Sequence, residues 1–224
     1  MCLVKWGPQD VTAVVTCFES GELLRHALDS IAAEGPIPIV LVDDGSSSCA
    51  CRDISGGYEH LVRVDRDNGG QAAALNSGVA HVRTDLIAFL DHDDEWIPGK
   101  TQRQLDLLTN TGADVVVGGV RNVTERDGEV IAEAQFPATR VLGAVIARTR
   151  SVRSVGPFAE STGHHCIIDW WSRAEESGLI RVNDDEPVLL RRIHGGNSGV
   201  IHRDAARRDL LRHLRGHMAN RIGA

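Results

Sequence analysis

One rhythm constrains this chain more than any other feature. In its first half, short β-branched runs end on acidic or small polar residues, and helical stretches follow them. Val11 to Cys17 (VTAVVTC) reads as a buried strand, because an unbroken β-branched run suits a strand covered on both faces. Ser20 offers an N-cap to the next helix, whose inner face carries Leu23, Leu24, Ala27, Leu28 and Ile31. Pro36 and Pro38 end that helix, and a second strand, Ile39 to Val42, runs into Asp43-Asp44-Gly45-Ser46. A third strand spans about Leu61 to Val64. Gly69-Gly70 opens a helix bearing Ala74, Leu75, Val79 and Val82. A fourth strand, Leu86 to Leu90, delivers Asp91-His92-Asp93-Asp94, and a helix follows over about Pro98 to Leu108. Such alternation specifies an α/β fold: a mostly parallel central sheet flanked by helices.

The second half departs from that rhythm. Val115 to Thr124 is strand-like, and Asp127-Gly128 reads as a hairpin turn. Gly143 to Ala147 suggests another strand, followed by a short helix to Val155 that Gly156-Pro157 breaks. A helix is expected from about Cys166 to Ser177, a strand from Val188 to Ile193, and an Arg-rich helix from about Arg203. With 224 residues and no repeat or linker, the expectation is a single domain. Its halves would divide into about 11–110 and about 111–200, with 201–224 as a C-terminal helix.

Open α/β sheets bind ligands at the carboxyl ends of their strands. The acidic clusters at 43–44 and 91–94 both fall at such ends, so they should face one crevice, where mutual repulsion calls for something positive. An Asp-x-Asp there offers oxygen ligands to Mg²⁺ or Mn²⁺ alongside substrate phosphates; standing alone, it would equally be a solvated acidic loop. Asp43 and Asp44 can accept hydrogen bonds from a base or a ribose, or simply shape a tight turn. Asn68-Gly69-Gly70-Gln71 lets the backbone approach a ligand at a helix N-terminus, or is a plain entry into that helix.

Charge and cysteine usage narrow the function classes. The net charge of −7 argues against a general nucleic-acid binder, which carries a basic surplus. Only Lys5 and Lys100 are lysines; the remaining cations are Arg, whose planar fork suits phosphate oxygens. The five cysteines (Cys2, Cys17, Cys49, Cys51 and Cys166) form no paired framework and read as reduced thiols in a cytoplasmic protein. Cys49 and Cys51 lack the second pair that a zinc site needs. No apolar run reaches the roughly 18 residues needed to span a bilayer, and the N-terminus has no leader pattern.

Order and spacing then give a family resemblance. VTAVVTCFESGELLRHALDSI, IVLVDDGSS, DNGGQAAALNSGV and LIAFLDHDDEWIP, in that order, resemble the family 2 glycosyltransferases with the GT-A fold. The resemblance is strong over about residues 11 to 110 and continues more faintly through VGPF at 155–158 and DWWSRAEESG at 169–178. It implies a metal-dependent, inverting transfer of a single sugar, hexosyltransferase-type, from a nucleotide-sugar donor, with a UDP-sugar as the default. The acceptor is undefined: saccharide, lipid-linked, peptide or small molecule. The Gln-x-x-Arg-Trp motif of processive synthases is absent.

The resemblance also assigns roles. Phe18 stands beside the nucleotide base, and Asp43 and Asp44 hold base and ribose. Asn68, Gly70, Gln71 and Asn76 flank the nucleotide. Asp91 and Asp93 bind the metal, Asp93 more directly. Asp169 is the general base, with Glu160, His164 and His165 as neighbouring rivals. Arg192-Ile193-His194-Gly195-Gly196-Asn197 is similar to a tail motif in which Arg192 meets the diphosphate and His194 adds a metal ligand. Two departures stand out: Glu19 follows Phe18 where relatives carry Asn, which bears on base recognition, and Ile168 replaces an acidic residue before Asp169. Competing readings are a non-catalytic nucleotide-sugar-binding module or partner subunit, and a nucleotidyltransferase; the latter lacks its Gly-rich loop after the first strand. Arg207, Arg208, Arg212, Arg215 and Arg221 give the tail either a solvated face or a peripheral contact with an anionic membrane.

Overall fold

The computed structural model describes residues 5–47, 50–55, 57–126 and 129–193. The hairpin turn at 127–128, His194 and the Arg-rich tail lie outside the described residues. The first half builds four parallel strands, β1 (Val11–Cys17), β2 (Ile39–Asp43), β3 (Leu61–Asp65) and β4 (Leu86–Asp91). Helices α1 (Glu22–Ala32), α2 (Ala50–Ser55) and α3 (Gln71–His81) fall between them. Their spatial order, β3-β2-β1-β4, places β1 between β2 and β4. Every residue of β1 is buried, as its continuous apolar run requires.

The second half adds β5 (Glu95–Trp96), α4 (Lys100–Thr111), β6 (Val115–Arg126), β7 (Glu129–Phe136), β8 (Val145–Arg148), α5 (Thr149–Val155), α6 (Cys166–Glu176) and β9 (Arg181–Ile193). The sheet continues β4-β8-β6-β9-β5, with β7 pairing β6. β8 runs antiparallel to both β4 and β6, while β6 and β9 are parallel. Strands β1, β2, β3, β4, β6 and β9 therefore share one direction, and β8, β7 and β5 oppose it.

Apolar side chains cover both faces. Leu24, Leu28 and Ile31 of α1 join Leu105 and Leu108 of α4 on one. Ala72 and Leu75 of α3 join Phe158, Trp170 and Trp171 on the other. Helix α3 lies close against β1 because Gly78 has no side chain: a Cβ there would sit 2.3 Å from Val14 Cγ1.

Several element boundaries differ from the sequence expectation. Ser20 does not cap α1; the N-cap is Gly21, without a side-chain bond, and the Ser20 hydroxyl lies 3.0 Å from the Cys51 sulfur. α4 starts at Lys100, not at Pro98, after a left-handed Gly99. The Glu34 carboxylate caps it from a distance, accepting the Gly99 and Thr101 amides at 2.7 Å each. Residues Leu142–Ala144 form a 3₁₀ turn before β8. β9 begins seven residues earlier than the apolar pattern suggests, at Arg181, because pairing with β6 carries its polar half.

Candidate active site

The strand register brings the expected residues to one edge. Cys17 pairs with Asp43, Thr16 with Asp91, and Asp43 with Asp65. Asp43 and Asp91 thus flank the end of β1 on either side, with backbones roughly 10 Å apart given a strand spacing of ~4.8 Å.

On the β2 side, both aspartates are buried and both are held from within. Asp43 Oδ1 accepts the Ser46 amide at 2.9 Å, and its Oδ2 accepts from Arg63 at 3.0 Å. Asp44 takes the amides of Gly69 at 3.1 Å and Gly70 at 2.7 Å, together with an ion pair from Arg66. Asn68 donates to the Asp44 carbonyl at 2.9 Å. Asp44 is therefore the internal anion at the entrance to α3, whose N-cap is Gly70. Gly45 permits this close approach: its φ is +82°, and a Cβ there would lie 2.6 Å from the Asn68 nitrogen. Phe18, beside Cys17 at the end of β1, is 48% exposed. Glu19 holds a positive φ of 48°, fixed by its amide on the Ser46 hydroxyl and by its carboxylate on the Ser47 amide.

On the β4 side, Asp91 and Asp93 are half-buried and Asp94 is fully buried. Burial, then repulsion from Asp93, raises the Asp91 carboxyl above the usual range. Burial, then repulsion from Asp91 and Asp93, pushes Asp94 up to about 8. Asp94 Oδ1 accepts the Arg192 amide at 3.0 Å, so β9 anchors the acidic loop. Gln71 reaches Asp91 at 3.4 Å. These carboxylates fit a divalent cation on chemical grounds: oxygen donors, crowded and desolvated, whose charge a cation would neutralise. They do not form a closed triad. Among the described residues, the group whose ligand atoms all lie within 4.8 Å of one another is Cys17, Asp43 and Cys51.

Asp169 sits in the first turn of α6. Arg173 donates to its Oδ2 from Nε at 2.9 Å and from Nη2 at 2.8 Å. Arg173 is itself held by the carbonyls of Val155 and Pro157, at 2.7 Å each. Cys166 shows that Asp91 and Asp169 share a neighbourhood: burial raises its thiol to about 11, and both carboxylates add to that. Of the rival bases, Glu160 lies 3.3 Å from Asn76, His165 is buried as the N-cap residue of α6, and nothing is described of the His164 side chain.

Asn76 closes a clamp on Phe158, accepting its amide at 2.8 Å and donating to its carbonyl at 3.0 Å. Phe158 stacks on Trp170 with centroids 5.6 Å apart, and Trp170 meets Trp171 edge-on at 5.2 Å. Both tryptophans belong to the core. Arg192 pairs with Glu95 and Glu125. His194, the remaining metal candidate, lies outside the described residues.

The model for the family described as "Glycosyl transferase family 2" matches residues 12–159, more than half of the 224. The chain belongs to glycosyl transferase family 2. A "Glycosyltransferase GlyA" of Streptococcus pneumoniae is 29% identical over 124 residues, covering 53% of this chain and 18% of that protein. An uncharacterized glycosyltransferase of Nostoc sp. is 30% identical over 125 residues, 53% of this chain and 38% of that one. "Glycosyltransferase AglE" of Haloferax volcanii is 23% identical over 193 residues, 75% of this chain and 62% of that one. The chain thus spans well under half the length of the first two relatives. In fold it is similar to S. aureus TarS 1–349 in complex with UDP-GlcNAc, with a TM-score of 0.66 at 16% identity over 84% of this chain and 59% of that one. The expected GT-A architecture is the one observed.

For this family 2 chain, residue patterns missed Arg63, Arg66 and Arg173, the cations that hold Asp43, Asp44 and Asp169. The Asp169–Arg173 spacing of four on one helix was the one available signal. Arg63 and Arg66 become visible only through the β2–β3 register.

Proposed function

We propose that this chain carries the donor-binding and transfer centre of a glycosyltransferase that moves a single sugar, with inversion, from a UDP-sugar to an acceptor. The observation that carries this reading is the register that sets Asp43 and Asp91 on either side of β1, at the carboxyl edge of a parallel sheet. Family membership and the fold shared with TarS, whose structures include complexes with UDP and UDP-GlcNAc, support the donor class.

The chain's own residues divide the work. Phe18 offers its exposed face to the base. Asp43 retains lone pairs for base or ribose donors while Arg63 and Ser46 fix its orientation. Asp91 and Asp93 would hold Mg²⁺ or Mn²⁺. When bound, that cation supplies positive charge against the growing charge of the leaving diphosphate. Asp169 accepts the proton of the acceptor hydroxyl. Both Arg173 contacts fall on Oδ2, so Oδ1 is the oxygen that would take this proton. The same ion pair favours the competing reading, a non-catalytic nucleotide-sugar-binding module, if Arg173 commits Asp169 to structure.

Calorimetric titration of UDP with Mn²⁺, and again with EDTA, tests the donor site; UDP-sugars are then screened for transfer. Metal-dependent binding with transfer supports the proposal. Binding without transfer to any acceptor class selects the binding module, and no binding under either condition refutes the donor assignment.

A further inference from the structure

Beneath the donor loop lies a pair of thiols that the transfer reaction does not use. Cys17 ends β1, and Cys51 lies in α2, 34 positions away. Both are buried, and the Cys17 thiol donates to the Cys51 sulfur at 3.4 Å. Two hydroxyls also converge on that sulfur, Ser20 at 3.0 Å and Ser46 at 3.6 Å. Cys17 donates to that sulfur, both hydroxyls can turn their protons to it, and its thiol form has the Ser20 carbonyl as acceptor at 3.9 Å. With the hydroxyl protons turned inward, this arrangement favours the thiolate, the nucleophilic form. In keeping with this, the Cys17 hydrogen bond, with help from Ser20 and Ser46, lowers Cys51 to about 5 against the opposing effect of burial, while the same bond raises Cys17.

We propose that Cys17 and Cys51 are the site of a reversible disulfide that resets the donor loop, with a hydroperoxide as oxidant. The Cys51 thiolate attacks one oxygen of hydrogen peroxide and becomes a sulfenic acid. The other oxygen leaves as hydroxide and takes the Cys17 proton to give water. The Cys17 thiolate then attacks the Cys51 sulfur, forming the S–S bond and expelling hydroxide, which a solvent proton converts to a second water. Overall, two thiols lose two hydrogens, and one peroxide becomes two waters. A dithiol reductant reverses the change by thiol–disulfide exchange.

Ser46 couples the sulfurs to the loop. Its hydroxyl contacts Cys51 and accepts the Glu19 amide at 2.9 Å, while its own amide holds Asp43 at 2.9 Å. Bringing the sulfurs to a bond length of about 2.0 Å moves them by more than an ångström and removes the thiolate that the Ser46 hydroxyl faces. The Glu19–Ser46–Asp43 chain must then rearrange. This step rests on the reading of that loop as the donor site. A thiophilic cation on Cys17, Asp43 and Cys51 is the rival use of the same atoms. Asp43 argues against it: one of its oxygens already serves the Ser46 amide, and the other serves the Arg63 guanidinium, whose charge would oppose a cation.

The test compares protein reduced with dithiothreitol against protein treated with hydrogen peroxide. Peptide mass mapping should find residues 17 and 51 cross-linked, two hydrogens lighter, only after peroxide. Hydrogen exchange at residues 43–47 should change with oxidation, and the Kd for UDP should rise by roughly tenfold, the scale of one hydrogen bond lost from the site. Dithiothreitol should restore both. Cys51→Ser and Cys17→Ser should each form no such link and leave UDP binding insensitive to peroxide. A Cys49–Cys51 link, no link, a link with unchanged loop exchange, or stoichiometric zinc lost only when the pair is substituted would each overturn the proposal. If the reduced protein binds no UDP, the donor reading fails by itself, and mapping with exchange still decides the disulfide.

Discussion

Lys100 gives the sharpest quantitative test of the packing. Its side chain is 1% exposed, with Nζ 2.6 Å from Gln104 Oε1, 3.3 Å from the Val145 carbonyl and 4.8 Å from the centre of the Trp96 ring. Burial lowers its ammonium from 10.5 to about 7, against the opposing pull of Glu34 and Asp184. Between those values the unfolded chain binds a proton that the folded chain does not, so stability rises with pH. Each pH unit in that window contributes about 1.4 kcal/mol. From about pH 6.5 to about pH 9.5, Lys100 alone should therefore add about 3 kcal/mol to the parent. Lys100→Met keeps the stem and removes the titration. It also strips a donor from Gln104 and Val145, which costs about 1–3 kcal/mol, but that loss does not vary with pH. Urea unfolding of parent and variant at both pH values isolates the difference, because every other titrating group cancels. The variant's stability relative to the parent should fall by about 3 kcal/mol on going to the higher pH. Profiles parallel to within about 1 kcal/mol would show that Lys100 titrates as a hydrated lysine, and the burial reasoning would be wrong.

Three further outcomes are expected. Asp44→Asn sets an amide against the Gly70 N–H and removes the partner of Arg66, so chemical denaturation should show a loss of roughly 3 kcal/mol with an unchanged m-value; a loss below about 1 kcal/mol would remove Asp44 as the anchor of the 66–70 loop. Mn²⁺ binding at neutral pH should release protons from the Asp91–Asp94 cluster, because both carboxyls are raised in the folded chain; titration heats that do not change between buffers of different ionisation enthalpy would contradict this. Asp169→Asn should keep UDP binding and cut transfer by about 10²-fold or more, and transfer at the parent rate would assign the base elsewhere.

The parallel half was legible because its signals are local. β-Branched runs, Gly-Gly at 69–70 and acidic pairs after strands each act within a few residues, and each fell where it was expected. The expected Ser20 cap failed because a buried sulfur competes for its hydroxyl. The early start of β9 was hidden because its polar half is paired, not buried.

By itself, the sequence determined which carboxylates reach the edge of the sheet, since strand period and turn chemistry set that over short stretches. Only the tertiary structure decided what holds them. Arg63 on Asp43, Arg66 on Asp44, Asn76 on Phe158 and Arg192 on Glu95 join residues 20, 22, 82 and 97 positions apart. No local pattern encodes such pairs. They follow from strand register and from which helix covers which face, and these settle only when the whole core closes.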